Sequence, residues 1–449
     1  MKYPKYPAYK DSGVDWIGKV PREWKIKKLK SLTRIQTGIT PPTDKSYYYS
    51  EELGFPWIKP DDIEESLYPS KASKYLSNEG SKIVKKIDAG STIVCCIGTI
   101  GKLGYVDSVA STNQQINSVK SLSGNDKFIY FALAACKKEM ESLASGNVIQ
   151  ILNKKKLGDI FVPLPSDLEM TNIADYLKTQ VSKINKLADK IKNFIDVLKE
   201  KRQAVITKAV TKGLDQNVQM KDSGVEWIGE IPKHWTVMKV KYTSYVKGRV
   251  GWKGLTTDEY LEDGYAYLVT GQDFQSKTII WDSCYGVDKR RYDDDPYIQL
   301  KNGDLLITKD GTIGKLAIVD GLEKPACLNS GILLVRPYDY YNTDFLYYVL
   351  SSTVFSNFYF LRSFGSTIQH LYQNVFEGFS FPIPPMEEQS KIVAYLERKM
   401  GKIDKIISTG ERMVQLLKEY KTSLISQAVT GKIDVRGFSL PTTSNDALH

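Results

Sequence analysis

The chain has little with which to hold a metal or run covalent chemistry. Its three histidines, His234, His370 and His449, stand far apart. Its five cysteines, Cys95, Cys96, Cys136, Cys284 and Cys327, form no C-x-x-C pair. No zinc-ligand spacing results, and the cysteines read as small buried hydrophobes carrying reduced thiols. No apolar run approaches the roughly 18 residues of a membrane span. The opening MKYPKYPAYK lacks the apolar stretch of a signal peptide. Low-complexity and disorder-prone composition is missing too. Membrane and secreted classes are set aside, and a cytoplasmic location is expected.

What is present is ordinary globular material in quantity. There are 449 residues, 42% hydrophobic and 25% charged, enough for about three domains of the usual size. Basic residues number 62 against 52 acidic, a net charge of +10. Such a balance suits a polyanionic partner, nucleic acid before a membrane surface.

The chain repeats itself. Lys10 to Trp24 reads KDSGVDWIGKVPREW and Lys221 to Trp235 reads KDSGVEWIGEIPKHW, with ten of fifteen positions identical. GTIGKL at Gly98 recurs at Gly311, GNVIQIL at Gly146 answers GSTIQHL at Gly365, VPLP at Val162 answers FPIP at Phe381, and AVT at Ala209 recurs at Ala428. The offset drifts from 211 to 219, so the insertions lie mid-repeat. A period this long means two copies of a whole module rather than a solenoid.

Each module opens with short strand-like runs, such as Ser91 to Ile97 and Asp304 to Thr308, mixed with short helical stretches such as Phe128 to Lys137. That predicts a mixed α/β globule. A long helix follows, its start marked by Pro163 and Pro165 in copy one and by Pro382, Pro384 and Pro385 in copy two. Apolar residues then recur at spacings of three and four. In copy one they are Leu177, Ile184, Leu187, Ile191, Phe194, Leu198 and Val205; in copy two, Leu396, Ile403, Ile406, Met413, Leu417, Tyr420 and Leu424. This is a coiled-coil seam, with Lys201 and Gly410 as interruptions. The two helices are expected to pair with each other rather than pack separately on their own globules. The expected boundaries are 1–165 and 214–384 for the globules, 166–213 and 385–432 for the helices, and 433–449 for an unstructured tail.

These residues carry a resemblance. The KDSGV-[DE]-WIG opening of each half, the GTIGK loops, Glu387-Glu388-Gln389 before Lys391 to Leu396, and the LKE…AVT helix endings together resemble the specificity subunit of type I restriction-modification systems. The resemblance covers nearly the whole chain. It implies two target-recognition domains in tandem, each followed by a spacer helix, the two helices forming an antiparallel coiled coil with pseudo-twofold symmetry. It implies reading of a bipartite, asymmetric site in double-stranded DNA. It also implies two modification subunits that methylate adenine with S-adenosylmethionine, motor subunits for restriction, and no cofactor in this chain. One departure is that Leu168-Glu169-Met170 stands where copy two has Glu387-Glu388-Gln389.

No catalytic constellation accompanies the pattern. The Pro-Pro pairs sit in Thr40 to Thr43 and Ile383 to Met386, neither an Asn/Asp-Pro-Pro-aromatic loop, and no G-x-G-x-x-G follows a strand. Asp304, Lys309 and Asp310, and the run Asp293 to Asp295, read as solvated loops rather than a metal nuclease site. A stand-alone DNA-modifying enzyme and a coiled-coil scaffold without nucleic acid remain the competing classes.

Candidate DNA contacts come from several places. Lys247, Arg249, Trp252 and Lys253 form a basic, glycine-loosened, aromatic stretch, in which Arg249 could fork onto guanine and the lysines could meet phosphate. Thr37, Thr40, Lys45 and Lys59 occupy the more polar counterpart in copy one. Lys102 and Lys315, in the GTIGK loops, are phosphate contacts or members of tight turns. Gln114 and Gln115 after Asn113, with Asn329 and Ser330, could pair with adenine or cap turns. Base readers should differ between halves that read different sequences, which favours the segments of about 36–60 and 245–300. The tyrosine run Tyr47 to Tyr49 could stack or sit half-buried. Trp16, Trp24, Trp227 and Trp235, alike in both halves, read as structural anchors, with a partner-subunit contact as the alternative.

Overall fold

A computed structural model describes residues 4–67, 69–145, 150–249, 255–362 and 370–438. Contacts divide the chain into two units: Met1–Ile191 with Arg412–His449, and Lys192–Glu411. The division falls inside both long helices, not at their ends. Each unit is therefore a globule plus half of each helix.

In the first unit a four-stranded antiparallel sheet runs in the order Thr33–Thr37, Ile116–Ser121, Thr92–Cys95, Leu103–Tyr105. The second unit repeats that order with Ser244–Gly248, Ile332–Pro337, Leu305–Thr308 and Leu316–Ile318. Val119 pairs with Ile35 on one side and Thr92 on the other; Val335 pairs with Val246 and Leu305. The inner strands Thr92–Cys95 and Leu305–Thr308 are buried along their whole length. Buried strands of this kind read as unbroken apolar runs rather than alternating ones. A smaller sheet in each globule contains a parallel pairing, Phe55–Ile58 with Ser111–Thr112 and Ala266–Val269 with Ala326–Leu328. Helices Asp126–Ala135 and Thr343–Leu350 pack on the larger sheets. All five cysteines are buried and free, and burial raises the thiols of Cys96, Cys136 and Cys284 to about 12.

A two-stranded ribbon closes each globule and leads into its long helix. Lys25–Lys28 pairs with Phe161–Leu164, and Thr236–Lys239 with Ser380–Ile383. The prolines that end these ribbons force extended backbone on the residue before them. Helices then begin at Asp167 and Met386 and run without a break to Lys212 and Val429, 46 and 44 residues. Neither Lys201 nor Gly410 interrupts them.

The buried indoles of Trp24 and Trp235 fix both helix ends in each unit. Trp24 Nε1 donates to Glu169 Oε1 at 3.3 Å, and Trp235 Nε1 to Glu388 Oε2 at 3.0 Å. Glu169 thus does the work of Glu388 although the surrounding sequence differs. Gly431 and Gly213, with φ of 68° and 70°, end the opposite helices against the same rings. A Cβ at Gly431 would lie 2.4 Å from Pro21 and 3.0 Å from Trp24; one at Gly213 would lie 3.2 Å from Trp235. Only glycine takes this left-handed turn freely. The anchoring role expected of these tryptophans is what the geometry carries, with Trp227 Nε1 donating to Ser380 O at 3.1 Å.

The helices meet in each unit, but on a shifted stripe. In the first unit Leu177 and Ile184 share one core with Leu424, Ile425 and Ala428, and Lys421 Nζ donates to Asn185 Oδ1 at 3.2 Å. In the second, Arg202 Nε donates to Asp404 Oδ1 at 2.9 Å and Lys199 lies 3.6 Å from Glu411. Leu198, Leu396 and Ile403 are buried as expected, and Ile191 and Leu417 half-buried. Leu187, Phe194, Ile406 and Met413 are instead exposed, and Ala188, Ile195, Ile407 and Val414 take their seats. Tyr420 is exposed as well. At four places two apolar residues stand side by side, and one step turns a helix surface by about 100°. A further correction concerns the tail. Ile433 and Val435 are buried, and Asp434 N donates to Pro4 O at 2.9 Å. Residues 433–438 thus belong to the first unit's core.

The shifted stripe is testable. Ile195→Ala should lower the unfolding free energy by about 2–4 kcal/mol, while Phe194→Ala should change it by no more than about 0.5 kcal/mol. Urea unfolding of the two variants checks this; equal losses would return the seam to Phe194.

Candidate nucleic-acid interface

The glycine loops turn each buried inner strand directly into its neighbour. Gly98 and Gly101 have φ of 80° and 72°, Gly311 and Gly314 of 66° and 83°. Gly101 N donates to Cys95 O and Gly314 N to Thr308 O, both at 2.9 Å. These are tight strand-to-strand turns. Lys102 Nζ is held by Pro60 O at 2.9 Å and so is engaged within its own globule. Lys315 is exposed and lines a groove.

That groove, of about 730 Å3, is lined in the second unit by Tyr260, Thr270, Gln272, Asp310, Lys315 and Asn329. Asp310 organises one wall. It accepts from His370 Nδ1 at 2.5 Å and from Lys309 Nζ at 2.9 Å. Burial works against its ionisation, yet the bonds from His370 and Lys309 outweigh this and hold its carboxyl below the usual range. The first unit carries its own groove of about 860 Å3, lined by Thr43, Tyr49, Glu51, Trp57, Lys59 and Lys74. Lys45, on the same loop, is exposed. Both divergent segments picked from sequence therefore wall a groove, and the two walls differ in residue type.

Other candidates form a corner of mutual contacts. Thr37 Oγ1 donates to Asn117 Oδ1 at 2.7 Å, and Thr40 Oγ1 to Gln114 Oε1. Asn113 caps its turn by accepting from Gln115 N at 3.1 Å while donating to Gln115 Oε1 at 2.9 Å. Gly38 lets the strand end approach, since a Cβ there would sit 2.3 Å from the carbonyls of Thr112 and Asn113. In the second unit Asn329 Oδ1 accepts from Ser330 N at 2.6 Å and Asn329 Nδ2 donates to Tyr260 Oη at 2.9 Å. Turn capping is the role the geometry gives Asn113 and Asn329. Gln114 keeps an exposed side chain.

Two expectations are corrected. Arg249 is only 4% exposed; its Nε donates to Leu328 O at 2.8 Å and its guanidinium reaches Cys327 Sγ at 3.4 Å. The strand Ser244–Gly248 carries it into the globule, so it does not fork onto a base edge. Asp304 is not solvated: it is 1% exposed and forms an ion pair with Arg336 at 2.6 Å. Lys247 lies over the Tyr297 ring at 5.8 Å. Trp252, Lys253 and Gln369 lie outside the described residues, and Gln150 is exposed. Among the described residues no group of three or more His, Cys, Asp or Glu is placed to hold a metal ion. Tyr260, Thr270, Gln272, Asp310 and His370 were not singled out as contacts from sequence. His370 had a visible signal, since it replaces Ile151 in an otherwise similar stretch.

Two like-folded globules with unlike grooves, each carrying halves of two long helices, define a duplicated binding scaffold. Residues 21–196 and 258–409 match the family described as type I restriction modification DNA specificity domain. The chain belongs to that family. It is 23% identical over 434 residues to the type I restriction enzyme MjaVIII specificity subunit of Methanocaldococcus jannaschii, covering 94% of this chain and 95% of the relative. It is 31% identical over 153 residues, 33% of each chain, to the HindI specificity subunit of Haemophilus influenzae. A chain solved in work on complex assembly and conformational transition of the type I R-M system has the same fold, with a TM-score of 0.63 at 15% identity, over 91% of this chain and 98% of that one. No helix among the described residues is long and apolar enough to cross a membrane.

The burial of Arg249 yields a second expectation. Arg249→Ala should strip donors from the buried Leu328 carbonyl and destabilise the chain by about 1–3 kcal/mol. Thermal unfolding measures this. An unchanged melting temperature with lost DNA affinity would restore Arg249 to the interface.

Proposed function

We propose that each globule reads one half of a bipartite, asymmetric DNA site and that the long helices set the distance between the halves. The observation that carries this reading is the pairing of sameness with difference. Sheet order, glycine turns and tryptophan anchors repeat in both units, while the groove walls do not. Two identical grooves would read a symmetric site; unlike ones read an asymmetric site. The net charge of +10 suits attraction to phosphates.

The helices, in this reading, pair antiparallel along their whole length as a coiled coil with pseudo-twofold symmetry. Support comes from the contacts inside each unit, where early residues of one helix meet late residues of the other. The chain itself carries out no bond-making step. Methyl transfer to adenine belongs to two modification subunits that bind S-adenosylmethionine, restriction belongs to motor subunits, and the assembly works in the cytoplasm.

The test is the methylated motif of cells carrying this chain with its modification partner. Exchanging residues 1–165 for those of a relative should change one half of that motif and leave the other intact. Changes in both halves, or in neither, would sink the modular reading.

The ruler has its own test. Four helix-forming residues inserted after Lys190 add about 6 Å and close to one helical turn, which a seam tolerates as a stutter. The motif's gap should lengthen by one or two base pairs at about 3.4 Å each, with its half-site letters unchanged. An active variant with an unaltered gap would eliminate the ruler.

A further inference from the structure

The duplication supplies its own reference for a groove that is narrow in the second unit and wider in the first. In the second unit the hairpin of Phe274–Gln275 and Thr278–Ile279 delivers Lys277 to the junction between the globule and the second long helix. Its ammonium is paired with Asp344 and, at 2.9 Å, with Glu397. It lies 5.7 Å from the ring centres of both Tyr347 and Tyr348. Beside it Gln203 Nε2 donates to Ser351 O at 2.8 Å, and the hydroxyls of Thr207 and Thr353 meet at 3.1 Å. This chain's own residues narrow the junction to a pocket of about 340 Å3, lined by Phe274, Gly314, Leu316, Tyr347 and Ser351.

At the matching positions of the first unit the chemistry is reversed. Lys127 stands where Asp344 stands, Lys178 where Glu397 stands, and Asn185 where Asp404 stands. Ala134 replaces Ser351, and Thr422 replaces Gln203. The shorter Thr422 turns its hydroxyl back to Lys418 O at 3.1 Å instead of reaching the globule. The junction consequently opens as a groove of about 580 Å3. Its floor is apolar, with Leu103, Tyr130, Val181 and Ile425; its rim carries Lys137, Lys178, Lys418 and Lys421. Glu65 engages Lys137 at 2.9 Å, while Lys178 and Lys418 are exposed.

We propose that this groove docks an acidic amphipathic segment of a partner protein. Apolar side chains of that segment cover the floor, and its carboxylates meet Lys178 and Lys418. The narrower junction of the second unit shows the logic: a charged side chain from an inserted segment bridges helix residues of opposite sign over an aromatic floor. In the first unit the helix residues are cationic, so the inserted charge is anionic. Charge complementarity selects the partner, and burying the floor supplies affinity. A sugar-phosphate backbone would satisfy the lysines but leave the floor in water, which favours a protein segment over nucleic acid.

The probe is a labelled helical peptide of about 16 residues with leucine and phenylalanine at i, i+4 positions flanked by glutamates, and a twin with lysines for the glutamates. Fluorescence anisotropy with the full chain should show saturable binding of the glutamate peptide. K178E/K418E should weaken it at least about tenfold and bind the lysine twin instead. Ser182→Trp, which crowds the floor without changing charge, should weaken both peptides. Circular dichroism melting confirms that these surface variants remain folded. Failure of the glutamate peptide to bind, or equal binding to parent and variants, overturns the proposal. So does a random-sequence DNA duplex that displaces the peptide and whose own affinity falls in K178E/K418E, because the groove would then serve nucleic acid.

Discussion

A hydrogen bond from a buried indole to a glutamate at the start of a long helix holds each unit together. Trp24 reaches Glu169, and Trp235 reaches Glu388. Each ring also receives the glycine that ends the other helix, Gly431 or Gly213. One side chain per unit thereby fixes where one helix begins, where the other stops, and how the ribbon of the globule approaches both. Such a ring cannot be traded for a smaller residue without a cavity and the loss of its hydrogen bond to the helix start. Sequence identity between the halves is highest around these tryptophans because the geometry there is the same in both.

Away from the anchors the two copies are free to differ, and they differ where a ligand would be met. The groove of the first unit is walled by Tyr49, Trp57 and Lys59, that of the second by Tyr260, Gln272 and Lys315. Beneath each lies the same sheet order and the same pair of left-handed glycines. A rigid, repeated sheet presenting variable loops separates the task of folding from the task of recognition.

The duplication, the α/β character of the globules and the starts of both helices were legible because they leave period, proline and glycine marks in the chain. Which apolar stripe forms the seam was not. Leu187 beside Ala188, and Phe194 beside Ile195, satisfy the same spacing rule, and hydrophobic size favours the wrong member of each pair. Packing instead buries the smaller or branched residue. Arg249 misled for a different reason. Its glycine-rich neighbourhood reads as a loop, whereas pairing of Lys247 and Gly248 with Leu334 and Leu333 draws it into a sheet. Long-range pairing leaves no mark in a local window. The conserved role of Glu169 was hidden likewise, since the match lies in what the carboxylate touches and not in the residues around it.

The division of the chain inside both helices has a consequence for how the molecule comes into being. The second unit is built from one continuous stretch, Lys192–Glu411. It can finish packing as soon as that stretch has left the ribosome. The first unit cannot, for Leu177 and Ile184 wait on Leu424 and Ala428, and Trp24 waits on Gly431. A chain halted during synthesis would therefore hold a finished interior unit and an unfinished outer one with its apolar helix face bare. Residues 424–435 act as the clasp, so only a chain read through to that point closes the first unit.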